Sequence, residues 1–519
     1  MSEFKVDSQL IGRNRILTSK KITGNPIEDI QTVKKILEEA LPVHNGNVNE
    51  ENKLFDIYFN GAEWWDKSKT QRSDINNKIS VPTAWSITRT LNGYCFTEPI
   101  KYVARGQGDN PNAQEQVEKL SAMLDFSNNH ASTIMASLCS SVCGLGYKLV
   151  LPSTDEEYED TNVPFVINQN VIYPQTAFVV YSNEAISREV LGVLLGTYVN
   201  DKGDKYKQYT CWTKYHQFVY RDGGKEEPPY VVVKQYDAEG NAYDWWALQN
   251  RRIPLIEVAR NPFRKGDWEV ATDLLVYKNM LMSSRADDIQ QIIDYVMVLM
   301  NCQFETTGER DDILKSRVIE LQVTDPLNKP SVDILKNPLD QNAVQACAEY
   351  IDRLIQECIG IPSRQEKGFG GGDTGSAVQY RNGFRDLENN AGLIIPEMDK
   401  AETKFLAVCI GYCRNMINNE IGDLKPYNVR CKYNRSLTDD MVSSSQSFLN
   451  YINGGLDYED ALILSKSGTD PSEISRKAKI AFENEETLMQ RQANSTKVEE
   501  NTQPDVVDET KKVETNPNE

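Results

Sequence analysis

Apolar residues recur at helical spacing over residues 25–66: positions 27–41 carry one stripe, and Leu54, Ile57, Tyr58 and Trp65 resume it after the polar stretch HNGNVNEEN, which reads as a break. In VPTAWSITRTLNGYCF, Pro82 suits a first helical turn, Trp85, Ile87, Leu91 and Tyr94 are spaced for partial burial, and Gly93 marks the predicted end. A polar insert, ARGQGDNPNAQ, leads to helical patterns at 117–126 and 132–143. From 146 to 258 the period becomes that of strands, in runs such as YKLVLP, AFVVYS, VLGVLLGTYV and YVVVKQYDA. The turns NDKGD, RDGG and DAEGN supply the Asp and Gly residues that tolerate positive φ. The acidic run DEEYED at 155–160 lacks the glycine and spacing of a calcium loop and reads as a solvated loop.

Helical spacing returns at 267–304, through Val270, Leu274, Tyr277, Leu281, Ile289, Ile292, Val296 and Leu299. As a single helix this stretch would span roughly 57 Å, far more than an ordinary globular helix. Residues 305–338 hold a charged DDILKSR, a strand-like VIELQV and three prolines, and read as a small separate lobe. A return helix at 339–360 presents Ala343, Val344, Cys347, Ile351, Leu354, Ile355 and Cys358 as its apolar face. The loop KGFGGGDTGSA follows, then a helical pattern at 376–419 in which Pro396 predicts a kink near 394–396. The strand NVRCKYNRS precedes predicted helices at 438–453, 457–466 and 471–490, with Asp457 and Asp470 as N-caps. The terminal 491–519, with four basic, seven acidic and no aromatic residues, is predicted to be disordered. The fold class is α+β.

A chain of 519 residues with 39% apolar content is long enough for several packed domains. No run approaches the ~20 apolar residues of a membrane helix, and the N-terminus has no continuous apolar signal region, so the chain is expected to stay where it is made, with no membrane partner. The ten cysteines form no C-x-x-C pair and read as small buried hydrophobes in a reducing cytoplasm, ahead of metal ligation or disulfides. His44, His130 and His216 are the only histidines, and none sits at ligand spacing, so no metal site is expected. A formal charge of −19 argues against a protein that grips nucleic acid by neutralising phosphates, while leaving room for one that DNA slides past; solubility alone would also account for it.

Gly370, Gly372 and Gly375 satisfy G-x-G-x-x-G in letters. That fingerprint binds dinucleotides when a strand precedes it and a helix follows within a βαβ unit. Here a helical pattern precedes it, and no lysine precedes Ser376 as a phosphate loop would require. The loop reads instead as one whose glycines let backbone approach another surface, with Arg364 and Lys367 able to meet phosphates. No G-x-S-x-G elbow occurs. The carboxylate pairs Asp287/Asp288 and Asp311/Asp312 read as solvated faces or inter-subunit ion pairs, and Trp64/Trp65 and Trp245/Trp246 as core or interface anchors. These patterns predict no enzyme and no cofactor.

Four strings together resemble the portal proteins of tailed bacteriophages, of the Bacillus siphophage type: NNKISVPTAWSITRTLNGYCFTEPIKY (76–102), IPLIEVARNPFRKGDWEVATDLLVYKNMLMSSRADDI (253–289), IGIPSRQEKGFGGGDTGSAVQYRNGFRDLENNAG (359–392) and VRCKYNRSLTDD (429–440). The resemblance spans roughly residues 50–485. It implies a portal fold: a wing over 1–266 with its β-rich part at 146–258, stem helices at 267–304 and 339–360, and a small α/β clip at 305–338. A tunnel loop at 361–378, a kinked tunnel helix and further wing at 379–435, a helical crown at 436–490 and an acidic tail at 491–519 complete it. The assembly it implies is a homo-oligomeric ring, usually of twelve subunits, built in the host bacterial cytoplasm and carried in the virion at one capsid vertex. Its implied partners are double-stranded DNA in the channel, the terminase large subunit, the head-tail adaptor, and the major capsid and scaffolding proteins. Candidate DNA-facing residues are Arg364, Lys367, Phe369, Gly370, Gly371 and Gly372, with Gly375 as hinge; candidate docking residues of the clip are Asp311, Asp312, Lys315, Arg317 and Lys329. Two other readings stay open: a head or baseplate oligomer without a channel, and a nucleotide-binding enzyme using the glycine loop.

Overall fold

The computed structural model describes residues 12–61, 75–105, 112–200, 202–223, 230–236, 240–293, 296–300, 302–303, 322–323, 329, 331–335, 341–362, 384–415, 421–434, 441–465, 474 and 478. The chain is α+β and divides into two compact units, residues 1–436 and 437–519.

Helix α1 (Pro26–Asn60) starts at Asn25, whose side chain accepts from the Ile27 amide, with Pro26 in the first turn. It runs unbroken through the polar stretch that reads as a break in sequence. The reason lies in where His44, Asn47 and Glu51 point. They continue the inward stripe of Val33, Ile36, Leu37, Ala40 and Leu41, and Leu54, Phe55, Ile57 and Tyr58 complete it. His44 Nε2 donates to the Gln175 carbonyl at 3.1 Å. Asn47 accepts from the Asn14 amide and donates to its carbonyl, both at 2.9 Å. Polar side chains with such partners can be buried without ending a helix.

α2 (Thr83–Phe96) extends past Gly93, the end its sequence suggests. α3 (Ala113–Phe126) and α4 (Asn129–Cys143) follow. The acidic stretch after Thr154 is helical, not a loop: α5 (Asp155–Thr161) is set by a capping box, in which Thr154 N donates to Glu157 Oε2 at 2.9 Å and Glu157 N to Thr154 Oγ1 at 3.3 Å. None of its residues is buried.

A seven-stranded sheet orders Ile16–Thr18, Ala177–Ser182, Glu189–Val199, Lys205–Trp212, His216–Arg221 and Trp246–Ala247 side by side, with Val231–Val232 also paired to His216–Arg221. Alternation along Ala177–Ser182 divides two cores. Phe178 and Val180 meet α1 through Val33, Ile36 and Leu37. Ala177, Val179 and Tyr181 face Tyr147, Leu149 and Leu255 of a three-stranded sheet, in which Leu145–Pro152 lies between Leu255–Ala259 and Phe165–Ile167. The far face of that second sheet meets α4 and a later helix, so helix, sheet, sheet and helices stack in order. Trp245 packs against the first core while Trp246 is 44% exposed in the single chain; Trp64 and Trp65 lie outside the described residues.

The predicted helix 267–304 is shorter. A 3₁₀ turn, Glu269–Ala271, leads into α6 (Thr272–Ile293), after which Val296–Met300 is a strand paired antiparallel with Ser331–Leu335. A short apolar run such as VMVLM fits either period, and here pairing with SVDIL decides for a strand. Cys302–Gln303 pairs with Gln322–Val323, the end of the strand-like VIELQV. α7 (Gln341–Ile359) buries Ala348, Ile351, Ile355 and Ile359, whereas Ala343 and Cys358 are exposed, a correction to their predicted inward places. α8 (Phe384–Arg414) continues through Pro396. Val429–Lys432 pairs with Lys101–Ala104. In the second unit, α9 (Met441–Asn453) and α10 (Tyr458–Ser465) pack through an edge contact of Phe448 on Tyr458, centroids 5.3 Å apart.

Candidate functional site

The entry to α6 is fastened by a buried ion pair. Arg260, at the end of Leu255–Ala259, sends Nε and one terminal nitrogen to the two Asp267 oxygens at 2.7 and 2.6 Å. Its other terminal nitrogen reaches Asn92 of α2 at 2.9 Å and Ser137 of α4 at 3.2 Å. Asp267 also accepts from Ser141 Oγ at 2.6 Å. Trp268, fully buried, donates from Nε1 to Thr88 at 3.2 Å. The planar fork of an arginine holds a carboxylate in one orientation, so the direction in which α6 leaves this base is set by α2 and α4.

α6 is inside out. Its inward stripe is Leu275, Asn279, Ser283 and Asp287, four apart and three of them polar. These side chains serve the backbone of the segment before α2: Asn279 Oδ1 accepts from the Val81 amide at 2.9 Å, Ser283 Oγ from Ile79 at 2.9 Å, and Asp287 Oδ1 from Asn77 at 2.7 Å. The Asp287 carboxylate is therefore buried and engaged, which corrects its reading as a solvated face. On the outer side Tyr277 is 51% and Met280 43% exposed. α7 runs antiparallel to α6, since Lys278 pairs with Asp352 and Arg285 donates to Gln345 at 2.7 Å. Asn390 of α8 caps the end of α7 by donating to the Ile359 and Gly360 carbonyls at 2.7 and 3.1 Å.

A second buried network ties α8 to the core. Tyr147 and Leu149 face the large sheet, so Lys148 between them points the other way, toward α4 and α8. Its ammonium meets Asn129 at 2.7 Å, Glu402 at 3.0 Å and Thr133 at 3.1 Å, and lies 3.7 Å from the centre of the Phe405 ring. Glu402 also accepts from Tyr102 at 2.6 Å. Both charged side chains are fully buried.

A third cluster sits under α1. Arg264 pairs with Glu257, Arg13 with Glu269, and Glu51 is held near both arginines. Burial pushes the Glu51 carboxyl up to about 7, although Arg13 and Arg264 pull the other way. Burial holds His44 down at about 4, its bond to the Gln175 carbonyl opposing. Between pH 4.5 and 7 folded Glu51 keeps a proton that the unfolded chain has lost, so its contribution to stability falls as pH rises. Between pH 6.5 and 4 the unfolded His44 takes a proton that the folded one refuses, so its contribution falls as pH drops. The two slopes oppose each other, each worth about 3 kcal/mol over its window. His44→Gln is expected to unmask a loss of stability with rising pH, and Glu51→Gln a loss with acidification, in thermal unfolding followed across this range. Both variants keeping the wild-type pH profile would contradict the assignment.

Among the described residues, no group of three His, Cys, Asp or Glu is placed to hold a metal ion, and no helix is long and apolar enough to cross a membrane. Of the candidate docking residues, Lys329 is exposed just before Ser331–Leu335; Asp311, Asp312, Lys315 and Arg317 lie outside the described residues. So do all the candidate DNA-facing residues, Arg364, Lys367, Phe369, Gly370, Gly371, Gly372 and Gly375. Sequence reasoning missed Lys148, Glu402, Arg260 and Asp267. The available signal was a lysine inside the apolar run YKLVLP, which needs a buried anion if the strand is covered on both faces.

A family model described as phage portal protein, SPP1 Gp6-like, matches residues 28–449, a span that includes all four strings behind the resemblance. No curated protein matches the chain.

Proposed function

Because the chain belongs to the SPP1 Gp6-like phage portal protein family, a structural family and not one of enzymes, we propose that it forms a ring around an axial channel at one capsid vertex, through which double-stranded DNA enters and leaves. The observation that carries the ring is the inverted helix α6, which spends its polar stripe on its own chain and leaves Tyr277 and Met280 outside. A helix that buries polar side chains and exposes apolar ones is made for a further partner, and in a closed ring that partner is the neighbouring copy.

In this reading α6 and α7 are the stem, fixed in direction by Arg260 and Asp267, and the stretch between them, in which Val296–Met300 pairs with Ser331–Leu335, is the outer lobe where the packaging motor and later the head-tail adaptor dock. The motor hydrolyses ATP and the ring only conducts. A net charge of −19 suits that task, since a polyanion repelled by the walls finds no deep binding minimum to stall in. The glycine-rich loop 361–378 is the element directed at the DNA. Deleting Gly370 to Gly372 is expected to leave assembled particles that lack most of their DNA, measured as DNA per purified particle; normal filling would show that the loop has no part in packaging.

A further inference from the structure

We propose that a single ordered water binds between α1, the turn before Asp267 and the strand Ala177–Ser182, donating to Glu51 Oε2 and accepting from the Arg264 Nε–H. A chamber of about 10 Å³ lies there, lined by Glu51, Arg264, Glu257, Asn47 and Tyr147 among others. That is close to the free volume one water requires, and a buried water also needs polar partners. Two are present. Glu51 is 1% exposed and Arg264 5%, and neither Glu51 Oε2 nor Arg264 Nε has a hydrogen-bond partner in the protein. Each terminal nitrogen of Arg264 makes one bond, one to Glu257 and the other to the Asn14 carbonyl at 3.4 Å. Buried polar atoms are rarely left bare, and water is the usual third party when two of them line one small space.

The charges around the chamber select the occupant. A halide would face the Glu257 and Glu51 carboxyls, and a cation would face the Arg264 guanidinium; a neutral molecule that both donates and accepts suits the pair. The water would join the middle of α1 to the Arg264–Glu257 pair, at the turn that leads into the base of α6. This proposal rests on the geometry of the chamber and is independent of the channel.

The test is a structure of the full chain, in whatever assembly it forms, at a resolution that shows ordered water, together with Glu51→Gln and Glu51→Leu. A single peak within hydrogen-bond distance of Glu51 and Arg264, kept in Glu51→Gln and lost in Glu51→Leu, is expected. Direct contact of Glu51 with Arg264, an unoccupied chamber, or a peak that exchanges for bromide with an anomalous signal would each overturn it. Should the leucine variant fail to fold, the wild-type and glutamine maps still decide.

Discussion

Lys148→Met will destabilise the first unit by about 3–5 kcal/mol, because it leaves the Glu402 carboxylate buried without its cation. The loss is specific to breaking one partner. Lys148 satisfies Glu402, Asn129 and Thr133 together and faces the Phe405 ring. With the amine gone, Glu402 keeps the Tyr102 hydroxyl at 2.6 Å and Asn129 at 3.4 Å, too little to hold a charge away from water. Removing both charges, as in Lys148→Met with Glu402→Gln, should recover more than half of that loss, because a glutamine can still accept from Tyr102. Denaturant unfolding of the two variants beside the wild type measures both numbers. A single variant within about 1 kcal/mol of wild type would show that the network is not held as described.

Charge placed on the outer face of α6 acts on assembly instead. Tyr277→Glu with Met280→Glu changes two side chains that are 51% and 43% exposed in the single chain, so folding and melting should shift by only about 0.5 kcal/mol per site. In the proposed ring the same positions are covered, and two desolvated carboxylates per interface, repeated around the circle, should convert the assembly to single chains. Sedimentation velocity separates these states. Rings of unchanged size in the double variant would move the subunit contact elsewhere, while a lowered melting temperature of the single chain would mean that the face is internal.

How far these features were legible in sequence depends on what a period records. Helical spacing marked α2, α3, α7 and α8, and the strand pattern beyond residue 146 marked the sheets, because in those elements most apolar positions are the buried ones. They disagree in α1, where His44, Asn47 and Glu51 look like a break but point inward, and in α6, where Asn279, Ser283 and Asp287 are the buried side. A polarity pattern cannot distinguish a polar residue facing water from one facing a backbone amide. The overlong helix at 267–304 has another cause, since VMVLM is apolar at every position and carries no period; only its pairing with Ser331–Leu335 distinguishes strand from helix. The family, by contrast, was legible from four strings, all within the matched span. The salt-bridged base was not, as Arg260 with Asp267 and Lys148 with Glu402 come together only when the sheets and helices have stacked.

Electron microscopy of the purified full-length protein tests the channel most directly. Closed, rotationally symmetric rings with an axial opening, built by contacts through α6, are expected. Single chains at every concentration, open filaments, or closed particles without an opening along the axis would contradict it.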